Sequence, residues 1–251
     1  MTDFEVALTR DGSPTILVTN SQGQKEAMHH WQGAWSETLF VYAAAFQFLT
    51  PQPSEYRVFS LGMGLGYNEV LAACETLCRP NCPLTSLVSF ESEPLFQESF
   101  SKFIENKTRG TPSALTKAFE RIFQKASIHY GISVEHIKER LLHLRGNGVW
   151  VLEGAFDLQP KPGQSYNILL YDAFSKRLSP DLWQERLLTH FLKQSAACPS
   201  ALASYAANGS LRRALSSSGF RLLARKGFAG KRQSTLAVLD EPPAADEDSV
   251  N

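Results

Sequence analysis

No stretch of this chain is apolar for long enough to cross a bilayer, so no membrane span is expected. The opening MTDFEVALTRDG lacks a basic segment leading into an apolar run, which excludes a secretory signal. Cysteine is sparse, four in 251 residues, and without export features these thiols need not pair. Net charge is absent as well: 25 Lys and Arg balance 25 Asp and Glu, so the whole molecule is not an obvious polyanion binder. Internal repeats are missing, which argues against a solenoid. What remains is 43% hydrophobic and 20% charged, the composition of a globular protein long enough for one substantial domain. A cytoplasmic address follows by default.

The neutral total hides an uneven distribution. Arg212, Arg213, Arg221, Arg225, Lys226, Lys231 and Arg232 fall in one stretch without an acid. Asp240, Glu241, Asp246, Glu247 and Asp248 follow it as an acidic tail. The basic stretch either faces phosphates or is a set of solvated charges on separate faces. The tail, residues 241–251, is Pro-rich and acidic and is expected to be disordered.

Turn residues Asp11-Gly12-Ser13-Pro14 between short alternating runs predict an N-terminal hairpin. Trp35 to Leu49 has no breaker and predicts a helix stopped by Pro51. Residues 1–52 are therefore expected to form a hairpin-and-helix extension, and residues 53–240 the main domain. In that domain Arg57–Leu61 reads as a buried strand, followed by the turn Gly62-Met63-Gly64-Leu65-Gly66 and a helix. Leu87–Glu91 predicts a second strand, with a helix from Pro94. Two amphipathic stripes, around Leu115–Ala126 and Val134–Leu144, mark a helical insert over about residues 100–147. Val149–Gly154 and Tyr166–Phe174 predict strands three and four. A helix follows from Ser179-Pro180 to about Gln194, then strand five at Ser200–Ala206. A helix from about Ser210 stops at Gly219, and FRLLARKG and STLAVLD then predict two closing strands with no helix between them. Alternation of strands and helices implies a mostly parallel α/β sheet, here seven-stranded, with an antiparallel pair at one edge.

A Gly-x-Gly-x-Gly turn between a first strand and its helix places a ligand at the carboxyl edge of such a sheet. Its third glycine comes two residues after the second, not three, so the dinucleotide spacing is not met. Glu91, at the end of the second strand, stands where nucleotide-binding α/β proteins put an acid on the ribose hydroxyls. Together these features favour a nucleoside-containing cofactor. Asp172, closing the apolar run of the fourth strand, points toward the same crevice and is a candidate to orient or deprotonate an amine. His29-His30, with Glu26 and Glu37 nearby, reads as a loop or substrate-contact pair rather than a metal site, because adjacent helical side chains diverge by about 100°. Cys74, Cys78 and Cys82 are interrupted by Pro80 and read as packing residues. No metal is expected.

Longer motifs carry a family resemblance from about Gly33 to Leu239. They include Glu37-Thr38; Gly62-Met63-Gly64-Leu65-Gly66-Tyr67-Asn68; Ser89-Phe90-Glu91 with Pro94-Leu95; and Asp172-Ala173-Phe174 followed by Ser179-Pro180-Asp181-Leu182-Trp183. Ser204-Tyr205 through Arg212-Arg213, Gly219-Phe220 and Lys226-Gly227-Phe228-Ala229-Gly230-Lys231-Arg232 continue the series. In order and spacing the chain resembles the methyltransferase domain of the bacterial tRNA 5-methylaminomethyl-2-thiouridine biosynthesis enzymes, the MnmC-like family. The resemblance implies a class I methyltransferase Rossmann-like sheet and an S-adenosylmethionine-dependent N-methyltransferase. The methyl acceptor it implies is the aminomethyl group of a wobble uridine in tRNA, and S-adenosylhomocysteine would be the product. Asp172 would be catalytic. Glu37, Gly62, Met63, Gly64, Gly66, Asn68, Glu91, Gly154, Ala155, Asp172 and Phe174 would lie against the cofactor. Arg212, Arg213, Lys226, Lys231 and Arg232 would meet tRNA.

The chain departs from the family in three places. The family's Gly-Asp after the third strand is Gly154-Ala155 here, with Asp157 two residues on. The Gly and Pro of its Asp-Gly-Phe-Ala-Pro segment are Ala173 and Lys176. The FAD-dependent oxidase domain of many members does not follow, so no FAD is expected and an oxidative step would belong to a separate partner. Three other readings stay open: a same-fold methyltransferase acting on another amine or on protein, an aminopropyl transferase, and a non-catalytic cofactor-binding module.

Overall fold

The computed structural model describes residues 4–19, 25–174, 176–177, 179–230 and 233–241. Lys231, Arg232 and the tail from residue 242 lie outside the described residues. The chain opens with an antiparallel sheet of β1 (Phe4–Leu8), β2 (Pro14–Thr19) and β3 (Lys25–Ala27). Asp11 closes the β1–β2 turn by accepting the Ser13 N–H at 2.9 Å. Its other oxygen accepts from the Ser36 N–H at 3.0 Å and the Ser36 hydroxyl at 2.7 Å, at the head of α1 (Ala34–Val41). Gly33, the residue before that helix, has no side chain with which to cap it, so the hairpin supplies the cap. Burial pushes the Asp11 carboxyl upward, but the hydrogen bonds from Ser13 and Ser36 outweigh it and hold the pKa down at about 2. The hairpin matches expectation. β3 was not anticipated, because three residues reading KEA are too few and too polar to show an alternation.

Trp35 to Leu49 was expected as one helix. The structure breaks it at Tyr42 into α1 and α2 (Ala43–Phe48), where the Ala45 N–H turns back to the Tyr42 carbonyl at 3.1 Å. Residues 41–46 are buried on every side, so this segment is a core element rather than an amphipathic surface helix.

The main sheet holds β4 (Tyr56–Leu61), β5 (Leu84–Phe90), β6 (Trp150–Glu153), β7 (Tyr166–Tyr171), β8 (Ala196–Ser204), β9 (Arg221–Leu222) and β10 (Thr235–Leu239). Their spatial order is β6-β5-β4-β7-β8-β10-β9. The first five of these are mutually parallel, and β10 runs antiparallel to both β8 and β9. This is the expected mostly parallel seven-stranded sheet with an antiparallel edge. The linking helices are α3 (Tyr67–Leu77), α4 (Pro94–Ile104), α5 (Ser113–Tyr130), α6 (Val134–Gly146), α7 (Glu185–Ser195) and α8 (Gly209–Ser217). Helices α5 and α6 form the helical insert.

Side chains alternate strictly across the pleat. On β7, Ile168 and Leu170 join the core beneath α1–α6, whereas Leu169 and Tyr171 join the core beneath α7 and α8. The N-terminal sheet contributes Ile16 to the first of these cores. Continuing the alternation, Asp172 emerges on the α1–α3 side, which decides its neighbours.

Two expected elements are shorter than their sequence patterns. The helix after Ser179-Pro180 begins as a 3-10 turn, Pro180–Trp183, and restarts as α7 past an extended Gln184. The buried Trp183 indole donates to the Phe174 carbonyl at 2.7 Å, and seating that ring interrupts the helix. FRLLARKG yields only the two residues of β9 before the chain leaves the sheet, because Arg225 turns inward to the Phe40 carbonyl and ring.

Candidate active site

The chain runs from β4 outward to β5 and β6, then returns to place β7 on the other flank of β4. Strand order therefore reverses between β4 and β7, and ligands of open α/β sheets bind outside the carboxyl ends at that point. A cavity of about 420 Å³ lies there. Of the residues singled out from sequence, Glu37, Gly62, Met63, Gly64, Asn68, Glu91, Asp172 and Phe174 line it. Gly66, Gly154 and Ala155 do not.

The three glycines serve different purposes. A Cβ on Gly62 would stand 2.3 Å from the Asp172 carbonyl oxygen, so that position is dictated by the approach of β4 to β7. On Gly66 it would fall 2.2 Å from the Phe100 ring, a matter of packing α3 onto α4. At Gly64, with φ +51°, the nearest atom to such a Cβ is Met28 Sδ at 3.6 Å, so this glycine leaves bare backbone toward the cavity. Gly66 thus has a packing role that its place in the glycine motif did not announce. Gly66→Ala should destabilise the fold by about 2–4 kcal/mol, since overpacking adds to left-handed strain at φ +78°. The shift in urea midpoint reads that cost, with cofactor affinity of the folded fraction nearly unchanged.

Glu91 organises the crevice between β4 and β5. One carboxylate oxygen accepts the Gly64 N–H and the other the Glu93 N–H, both at 2.8 Å. Each oxygen keeps a second acceptor site, so the group can also take the two hydroxyls of a sugar diol. Burial raises its pKa, and the backbone N–H donors from Glu93 and Gly64 oppose that rise. Gln97, not anticipated from sequence, fastens the tips of β5 and β6 by donating to the Glu91 and Glu153 carbonyls at 2.5 and 2.9 Å.

Asp172 stands at the opposite wall. It is reached through the cavity and otherwise enclosed by protein, and burial raises its pKa to about 7. The Glu37 and Glu69 carboxylates push in the same direction, while the Tyr42 hydroxyl and the Asn68 amide pull it down. Asn68 Nδ2 lies 3.5 Å from Asp172 Oδ2, and Asn68 Oδ1 is buried without a hydrogen-bond partner among the described residues. The Tyr42 hydroxyl faces the same carboxylate but falls short of a formed hydrogen bond. Glu37 is fixed by the His30 N–H at 2.6 Å. Acceptors thus outnumber donors at this wall, and a ligand bearing N–H groups on a cationic nitrogen would satisfy them.

The N-terminal sheet and the segment after it close the mouth. Met28, His29, His30 and Trp31 line the cavity together with Tyr67 and Tyr205. His29 packs on the Tyr67 ring at 4.7 Å, and the Gln32 N–H donates to His30 Nδ1 at 3.2 Å. The histidine pair is therefore a wall of the pocket. Tyr67 and Tyr205 fall within the family motifs without having been given a role, and Tyr42 had no sequence signal, being one aromatic residue among many. Next to Glu91 a smaller cavity of about 340 Å³ shares Met28, Glu91 and Phe174 with the first. Phe4, Val18 and Phe96 complete its apolar walls. Gly154, Ala155 and Asp157 line neither cavity.

The basic stretch is divided. Arg213 pairs with Glu185 at 2.6 Å and Arg221 with Asp240 at 2.5 Å, so two charges are neutralised locally. Arg225 turns inward onto Phe40. Arg212 and Lys226 are exposed and show no acidic partner among the described residues. Of the expected RNA contacts, Arg213 is thus engaged elsewhere and Lys231 and Arg232 lie outside the described residues.

Comparison with known proteins agrees with this geometry. Residues 149–240 match a family model described as S-adenosyl-L-methionine-dependent methyltransferase. The tRNA 5-methylaminomethyl-2-thiouridine biosynthesis bifunctional protein MnmC of Campylobacter hominis is 26% identical over 86% of the chain and 30% of that protein. Its namesake from Aromatoleum aromaticum is also 26% identical, over 91% of the chain and 34% of that protein. The chain therefore spans about a third of the length of these curated relatives. Among solved structures, MnmC2 from Aquifex aeolicus superposes with a TM-score of 0.66 at 22% identity, covering 98% of this chain and 74% of that one. That likeness shows the fold.

Proposed function

We propose that the chain is an S-adenosyl-L-methionine-dependent methyltransferase that methylates an amine nitrogen held by Asp172, the aminomethyl group of a tRNA wobble uridine. The observation that carries the reading is the carboxylate wall at the switch point: Asp172, with pKa raised to about 7, beside an unpartnered Asn68 carbonyl. An aminomethyl group is mostly an ammonium near neutral pH and must lose a proton before its lone pair can attack. A carboxylate poised near pH 7 is matched to that transfer. One Asp172 oxygen accepts the proton, and once the neutral amine turns about its C–N bond the other Asp172 oxygen and Asn68 Oδ1 accept its two N–H groups, so that the lone pair faces the cavity centre.

The cofactor supplies a methyl group already activated on a sulfonium, so the chain's task is positioning and exclusion of water. The residues fit such a group. Bare backbone at Gly64 admits close approach, Glu91 takes the ribose hydroxyls, and the slot of Phe4, Phe96 and Phe174 accepts a flat purine. That slot, rather than Gly154-Ala155, is where this chain would hold the adenine. Phe96→Ala should weaken S-adenosylhomocysteine binding about 3- to 10-fold, the loss of one aromatic contact, as read by calorimetry.

Arg212 and Lys226 would meet tRNA phosphates, which position the substrate without reading its sequence. The location this implies is the cytoplasm. The deciding assay incubates the protein with labelled S-adenosylmethionine and bulk tRNA lacking the final methyl, followed by nucleoside analysis. Label on an aminomethyl uridine supports the reading. Label on another nucleoside, or none, overturns it.

A further inference from the structure

A cavity of about 400 Å³ between the start of α8 and the strands β9 and β10 joins Arg212 and Lys226, proposed above to meet tRNA phosphates, to Arg225 and Ser234. Arg212, Arg225 and Lys226 contribute to its walls, together with Gln233 and Ser234, and among the described residues no acid lines it. Ser234 is 8% exposed, and its hydroxyl has no hydrogen-bond partner among the described residues. Arg225 Nη1 is likewise buried and unpartnered. The rest of that guanidinium is fixed, with Nη2 donating to the Phe40 carbonyl and the group stacked 3.9 Å over the Phe40 ring. Burial works against its charge, and no carboxylate offsets that cost among the cavity walls. A buried guanidinium N–H and a buried hydroxyl left without acceptors, in a cavity of one charge sign, constitute a site waiting for an anion with several oxygens.

The cavity is also tied to the active site. Arg225 and Phe228 are three residues apart, so their Cα atoms lie within roughly 11 Å of each other. The Phe228 ring meets the edge of His30 at 5.6 Å, and His30 lines the methyl-transfer cavity. A polymer with one residue in the first cavity would carry its neighbouring phosphates past the second.

We propose that the cavity at Arg212, Arg225 and Ser234 binds a phosphodiester group of the nucleic-acid substrate, registering it so that the modified base enters the active site. The identity of that polymer rests on the tRNA reading above; the anion chemistry does not. The test measures binding of undermodified tRNA by fluorescence anisotropy across a salt series, for wild type, Arg212→Gln, Arg225→Gln and Ser234→Ala. Inorganic phosphate is the competitor. Each arginine variant should weaken tRNA binding about 5- to 30-fold and reduce the salt slope by about one. Ser234→Ala should weaken it by a smaller factor, and S-adenosylhomocysteine affinity should stay constant throughout. Ser234→Ala and Arg212→Gln keep the test decisive if Arg225→Gln unfolds. Unchanged tRNA affinity and slope in the variants would overturn the proposal. So would inorganic phosphate binding that depends on these residues while tRNA binding does not, which would mark a free-phosphate site. Absence of tRNA binding by the wild type would overturn the tRNA reading instead.

Discussion

Replacing Asp172 with Asn is expected to lower the rate of methyl transfer by 10²- to 10⁴-fold, the range for loss of a positioned base, while S-adenosylhomocysteine binding changes little. The pH dependence identifies the mechanism. The wild-type rate should climb with pH through about 7 and level off above it, because the ionised carboxylate is the active form. The Asn variant should lack that ascending limb. Stability should move in the opposite direction. Burial raises the folded-state pKa of Asp172 from 3.8 to about 7, so the fold favours the protonated acid. That contribution is fully present below pH about 4 and is lost as pH rises through about 7. Asp172→Asn removes the penalty of an enclosed charge. The variant should therefore be more stable than wild type at pH 8, by at most about 4 kcal/mol and by less because the cavity wets the side chain. At pH 4 it should show no such gain. Urea titrations at the two pH values read this directly, and an unaltered rate in the variant would remove Asp172 from the mechanism.

The second large effect is expected at Glu91. Glu91→Ala strips the acceptor from the Gly64 and Glu93 N–H groups and from any sugar diol set against them. Hydrogen bonds to a charged group are worth about 1.5–3 kcal/mol each, so losing the two made to a sugar diol predicts at least about a 10²-fold drop in cofactor affinity. Glu91→Gln should fall close behind, since its amide nitrogen would confront a backbone donor. Calorimetry reads the affinity, and a denaturation curve separates it from any loosening of the glycine turn. Affinity within a factor of three of wild type would show that Glu91 serves only the loop.

The parts of this architecture that sequence reveals are those governed by short, repetitive rules. Alternating apolar runs at Arg57–Leu61, Leu87–Glu91 and Tyr166–Tyr171 are buried on both faces of a parallel sheet, and the residues that close them, Glu91 and Asp172, project into the crevice by the same period. Placement that depends on distant partners was not legible. Tyr42 sits beside Asp172 because a helix breaks where burial demands it, and its sequence environment offers no breaker. Gly66 shares a motif with Gly64 yet answers to Phe100, which lies on another helix. The basic run looked uniform in one dimension. In three, Glu185 and Asp240 neutralise two of its members and Phe40 captures a third. The cavity beside Glu91, proposed to take the purine, draws on Phe4 and Val18 from the N-terminal sheet and Phe96 from α4, a convergence that no local pattern announces.

Hydrogen–deuterium exchange with and without S-adenosylhomocysteine examines the crevice itself. The account predicts slowed exchange concentrated at residues 62–68, 91–96 and 172–174, the rims of β4, β5 and β7. No protection at saturating ligand, or protection confined to segments away from those three strand ends, would contradict it.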